Sequence, residues 1–252
     1  MRTLFWKEWL EQRRSYRLLA AVIVLAIAGI LGPLTAKYLP QMLASMADVP
    51  PELAAILPAA DMSMAVREYS DNLVQFGALL ALLLPMAAIV GERAQGTAAL
   101  TLSKPVSRFS FVAAKLGAQG LTLFLAVLTA VAIGYLYVGV LFGWLDPLGF
   151  AAANAIYWVY LMVLLSLTIL ASALARSTVA SAGIAFGCLI ALGIFGGLPP
   201  FSAYLPSALL AWGRALALGL PAEPAWAALA VSIGLSLTAV ALAWQVLLHQ
   251  EL

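Results

Sequence analysis

Few residues of this chain are equipped for chemistry. Cys188 is the only cysteine and His249 the only histidine, so no thiol–imidazole couple, disulfide or two-histidine zinc motif can form. Cys188 lies in an apolar run and reads as a small buried hydrophobe, and His249 as a tail residue. No Gly-x-x-x-x-Gly-Lys-Ser/Thr loop is present to cradle a nucleotide phosphate, and there is no serine elbow or acidic metal cluster. No catalytic residue, metal site or cofactor site is therefore expected. The methionines Met42, Met46, Met62 and Met64 could suit Cu(I), although adaptable apolar packing accounts for them more simply. Asn72 and Gln75 are mild polar residues that could line a pathway. The richest stretch is Gly91 to Arg108. Glu92 and Arg93 stop an apolar run, Gly96 allows a sharp turn, and Thr97 to Leu102 predicts a short helix presenting apolar residues. Ser103 and Pro105 end that helix, Ser107 can cap the next, and Arg108 and Lys115 are expected at headgroup level.

The elements that must position this loop are apolar. The chain is 64% hydrophobic and 10% charged, with a mean hydropathy of +1.03, beyond what a soluble surface tolerates. An all-α membrane protein follows, a single transmembrane domain over residues 1–252. Charge-free runs long enough to cross about 30 Å of hydrocarbon predict six spans, near 18–36, 72–91, 115–140, 154–175, 178–195 and 225–247. Residues 1–17 predict an amphipathic interfacial helix, with Leu4, Phe5, Trp9 and Leu10 toward lipid and its basic residues toward anionic headgroups. Segment 37–71 reads as a large outer loop with a short helix at Leu53 to Leu57. Segment 196–223, interrupted by Pro199, Pro200 and Pro206, reads as an outer excursion, either broken at the membrane surface or re-entrant. Placing the N-terminus inside puts ten of the 13 Lys and Arg residues on the cytoplasmic side, and an even span count returns the C-terminus there.

The loop and its setting resemble the type-2 permease family of ATP-binding cassette transporters. The resemblance rests on Glu92-Arg93, Gly96-Thr97, Leu100 and Leu102, Pro105-Val106-Ser107-Arg108, and Lys115. It extends to the N-terminal amphipathic helix, the six spans and the broken segment before the last span. It implies a half-permease that pairs with a second permease copy, a homodimer in the simplest case. Each copy would dock a cytoplasmic ATPase subunit through residues 92–108, the coupling helix. ATP and Mg would be bound by that partner. The implied docking set is Glu92, Arg93, Gly96, Thr97, Leu100, Leu102, Lys104, Pro105 and Arg108.

The spans lack charged residues in their cores, which argues against an ion-coupled carrier or an intramembrane hydrolase. An architecture suited to transport without an energy source of its own implies a partner that supplies the energy, and the family resemblance then implies an exporter permease in the cell (inner) membrane. Its path suits a hydrophobic or amphipathic substrate, and nothing points to nucleic acid. A self-contained channel or secondary transporter, and an assembly factor serving metalloenzyme maturation, are the competing readings. Co-purification with a cassette ATPase separates them.

Overall fold

A computed structural model describes residues 1–44, 60–103, 106–199 and 201–250. Met46, the helix expected at Leu53 to Leu57, Lys104 and Pro105 lie outside them. The described residues form helices and turns only. Helix α1 spans Arg2–Arg14, and a corner at Tyr16, with φ of 58°, leads into α2, Arg17–Ala44. The chain continues with α3 (Met62–Leu83), α4 (Val90–Ala94), α5 (Thr97–Leu102), α6 (Arg108–Phe142), α7 (Pro147–Leu174) and α8 (Thr178–Gly196). A 3-10 turn (Phe201–Ala203), α9 (Ala208–Ala217) and α10 (Trp226–Leu248) complete it.

Five helices, α2, α6, α7, α8 and α10, are long and apolar enough to cross a membrane. Helix α3 also traverses the bundle. Its first turns pack with α2 and α6 around Ala36, Ala65 and Val138, and its far end leads to α4, beside both termini. Arg67, Glu68 and Asp71 in those first turns shorten its apolar stretch.

Capping, more than hydropathy, sets where helices begin. Asp61 accepts from the Met64 N–H at 2.8 Å, so α3 starts ten residues before the apolar run expected from Asn72. Ser107, Asp146 and Ser177 cap α6, α7 and α8 in the same way. Helix α2 continues past the expected limit at Ala36, because Lys37 can bend its ammonium to the Leu141 carbonyl at 3.5 Å and over the Phe142 ring.

The run expected as a span to Gly91 is not one helix. It stops at Leu83, and turns through Pro85 lead to α4. Proline supplies no N–H and its ring blocks the preceding turn. The exposed backbone is met by one side chain on α7. Ser172 Oγ accepts from the Ile89 and Val90 N–H groups at 3.0 and 3.2 Å and donates to the Met86 carbonyl at 3.1 Å.

Helix α7 is central and α8 peripheral: 67% of the apolar stretch of α7 is buried, against 11% for α8. Close approach of α2, α3 and α6 depends on missing side chains. A Cβ on Gly32 would fall 2.5 Å from the Tyr69 Cα, and one on Gly134 would fall 2.1 Å from the Tyr69 ring. Segment 196–223 contains the 3-10 turn and α9, which packs along α7 with Gly213 against the Tyr157 ring.

Candidate functional site

The loop between α3 and α6 is held from two sides by the chain termini. On one side stands Lys115, two turns into α6 and 1% exposed, turned into the bundle instead of outward. Its ammonium donates to Glu92 Oε1 at 2.8 Å and Glu8 Oε1 at 3.1 Å. Lys7 reaches the same two carboxylates, at 2.6 Å to Glu92 and 3.0 Å to Glu8. Two carboxylates and two ammoniums thus neutralise one another where α1, α4 and α6 meet. Such a group would be costly to bury in any part but together compensates its own desolvation.

The electrostatics follow the geometry. Burial alone would raise the Glu92 carboxyl, but Lys115 and Lys7 overcome it and hold the group below its ordinary range. Burial alone would lower Lys7, but its hydrogen bonds to Glu92 and Glu8 hold it above the ordinary lysine value.

This pairing dictates which face of α1 turns inward. Its buried residues are Leu4, Glu8 and Gln12, successive turns of one stripe, while Trp6 and Leu10 are exposed. Leu4 is thus taken from the apolar set expected toward lipid, while Phe5 and Trp9 stay half-buried and Leu10 exposed: α1 lays a largely polar stripe against α6, where Lys115 and Glu92 meet Glu8.

On the other side, the C-terminal segment is clamped. Arg93 donates to the Gln250 side-chain oxygen and to the Ala175 carbonyl at the end of α7. Arg108 donates to the Gln250 carbonyl at 3.0 Å, and the Gln250 amide donates to the Ala173 carbonyl at 3.1 Å. Partial burial lowers the Arg93 guanidinium below its usual value. Both termini thus sit at one end of the bundle, beside the same loop.

The structure therefore brings Glu92, Arg93 and Arg108 together, with their charged groups turned inward. Gly96, with φ of 70°, makes the turn that only glycine adopts freely and is exposed. The Thr97 hydroxyl donates to the Glu92 carbonyl at 3.2 Å and fixes the start of α5, whose backbone includes Leu100 and Leu102. Asn72 and Gln75 lie apart from the loop. Asn72 donates to the Glu68 carbonyl within α3 and is half-buried, and Gln75 is exposed. Glu8, Lys7, Ser172 and Gln250 were not among the residues singled out from sequence. The signal for Glu8 was present, since Leu4, Glu8 and Gln12 recur every four residues.

The ABC-2 family transporter protein model matches residues 2–212, from the first residue of α1 into α9. The chain belongs to the ABC-2 transporter family. It is also similar to an uncharacterized transmembrane protein, YxlG, of Bacillus subtilis (strain 168), at 28% identity over 213 residues, which are 82% of this chain and 81% of that one. As an ABC-2 family member it is a multi-pass membrane component of an ABC transporter and not itself the catalytic part. The charge knot at Glu92 and the clamp at Gln250 describe how this ABC-2 chain holds the loop that its resemblance to type-2 permeases assigns to coupling.

Proposed function

We propose that this chain is the permease subunit of an ABC exporter. ATP, with Mg, is hydrolysed in a separate cytoplasmic ATPase subunit docked on residues 92–108. The permease lies in the cell (inner) membrane with both termini cytoplasmic, and a second copy completes a path for a hydrophobic or amphipathic substrate. The observation that carries this reading is the family match across the region that includes the loop, together with the ion pairs that brace that loop against the bundle. A loop pushed by an ATPase must pass its displacement to the spans, and a buried ionic tether between α4 and α6 is stiff enough to do so. In this reading Glu92, Arg93 and Arg108 set the position of the docking helix. Contact with the ATPase falls to α5 and to the exposed Gln95 and Gly96, and Lys104 and Pro105, next in sequence after Ser103, belong to the same proposed docking set. Arg13 and Arg14 on the outer face of α1 extend the same surface. The second copy has room against α8, where a Cβ on Gly183 or Gly187 would meet nothing within 4 Å.

The test is co-expression with a candidate cassette ATPase, co-purification in nanodiscs, and the ATPase rate of the complex with and without Gly96→Pro. Proline fixes φ near −65° and cannot take the positive φ of Gly96. The variant is expected to insert normally and to lose at least about tenfold in complex affinity, by analogy with truncating a central interface contact. Wild-type complex formation and rate in the variant would remove the loop from the docking surface. Failure to bind any cassette ATPase would favour the channel or assembly-factor readings.

A further inference from the structure

A cavity of about 610 Å³ opens between α1, the first turn of α2, the α3–α5 turns and α6, a size usual for small-ligand sites. Its floor holds two acceptors that nothing in the chain satisfies. Glu92 Oε2 and Gln119 Oε1 are buried and have no hydrogen-bond partner among the described residues. Gln119 is 1% exposed and stands one turn beyond Lys115 on the same face of α6. Its rim carries donors. Arg17 approaches Glu11 at 3.8 Å, too long for a hydrogen bond, so its N–H groups remain available, and Lys7 is half-exposed beside it.

The arrangement selects the ligand. A metal ion fits poorly. Glu8, Glu11 and Glu92 can bring oxygens within 4.8 Å of one another, but the Lys7 and Lys115 ammoniums already lie on Glu8 and Glu92. A simple anion would leave both floor acceptors unmet, and a buried orphan acceptor costs stability. What fits is a zwitterion with N–H donors at one end and an anion at the other. Arg17 begins the apolar helix α2, so the rim lies at the edge of the hydrocarbon, at headgroup depth.

We infer that this cavity binds the headgroup of a membrane phospholipid bearing a primary ammonium, as in phosphatidylethanolamine. The ammonium donates to Glu92 Oε2 and Gln119 Oε1, and the phosphate meets Arg17 and Lys7. This site does not depend on the identity of any ATPase partner. A lipid held there would touch both α1 and the α4–α5 loop.

The experiment uses the full chain, delipidated in detergent, with binding read by native mass spectrometry and by the shift in melting midpoint. The probes are phosphatidylethanolamine, phosphatidylcholine with identical acyl chains, and soluble O-phosphoethanolamine. Choline carries three methyl groups where ethanolamine carries three N–H donors, so phosphatidylcholine is expected to bind about tenfold more weakly, the loss typical of a charge-assisted hydrogen bond. Gln119→Leu removes one floor acceptor and should weaken phosphatidylethanolamine by a similar factor, without lowering the lipid-free melting midpoint. Equal affinity for the two lipids would overturn the proposal, as would an unchanged affinity in Gln119→Leu. Soluble O-phosphoethanolamine binding as tightly as the lipid would overturn the membrane source. If the variant fails to fold, the comparison of the two lipids still decides.

Discussion

At the end of the bundle where the termini meet, four charged groups from α1, α4 and α6 share two carboxylate oxygens, Glu8 Oε1 and Glu92 Oε1. Toward the opposite end the helices are tied by neutral groups. The Tyr69 hydroxyl donates to Asn154 Oδ1 at 2.8 Å, and the Ser70 hydroxyl and Tyr157 hydroxyl lie 3.0 Å apart. The ion pairs described there, Arg214 to Asp71 at 2.7 Å and Arg67 to Asp71 at 3.7 Å, are partly exposed, with Arg214 at 35% and Asp71 at 44%. Neutral hydrogen bonds hold helices together but tolerate small shifts. A buried charge knot has one good arrangement, since moving any member strands a charge. The difference places geometric precision at the loop end and leaves compliance at the other, which suits the proposed exporter, driven from its loop end.

The sharpest way to break this comparison is to remove the central cation. Lys115→Met keeps the volume but leaves Glu8 and Glu92 with one ammonium, from Lys7, between them. A buried charge left uncompensated costs about 3–5 kcal/mol, so the melting midpoint in detergent should fall steeply. Adding Glu8→Gln should restore part of the loss. An undiminished midpoint in Lys115→Met would show that the knot contributes little.

Acid should act on the same end. The Glu92 carboxyl is depressed in the folded chain, because Lys115 and Lys7 outweigh the effect of its burial. Its contribution is therefore complete above the ordinary value of 4.5 and is lost as pH falls through the lower folded value. Wild type should lose stability below that point faster than Glu92→Gln, which has no such proton to bind. Parallel acid curves for the two proteins would contradict the assignment.

How much of this was legible beforehand depends on the range of the interaction. The apolar runs gave α2, α6, α7, α8 and α10, because composition alone marks a helix meant for lipid. Ser107 announced the start of α6, and Gly96 and Thr97 the start of α5, since caps and turns are local. The break at Pro85 also had a local signal, although its partner Ser172 is 83 positions beyond Ile89. The charge knot had none. Glu8 and Lys115 are 107 residues apart, and Glu92 and Lys7 are 85 apart. Lys115 and the charges of α1 suggested headgroup level and Glu92 a docking residue, and only the packing of α1 on α6 turns them toward one another. Arg93 and Arg108, basic residues in a short loop that suit a partner's surface, also hold the C-terminal segment between them, and that contact had no local signal.

The neutral network should yield less when cut. Tyr69→Phe removes one hydroxyl and leaves Asn154 Oδ1 without its donor, while the ring still fills the space beside Gly134. The expected loss is about 1–2 kcal/mol, below that of Lys115→Met, and it should not change with pH between neutrality and 4.5. A loss as large as that of Lys115→Met would mean that the two ends are equally demanding.

The smallest effect is expected from Asp71→Asn. The amide keeps an acceptor oxygen for Arg214 and gives up only charge, and both side chains are more than a third exposed. Exposed pairs are worth roughly 0–1 kcal/mol, reduced further by salt where water reaches them. A change of that size, shrinking as salt is added to the detergent solution, fits a pair standing in the aqueous layer beside the first turns of α3. A salt-independent loss several times larger would place Asp71 and Arg214 in a low-dielectric setting instead. The far end would then carry a second charge lock, and the compliance assigned to it here would be lost.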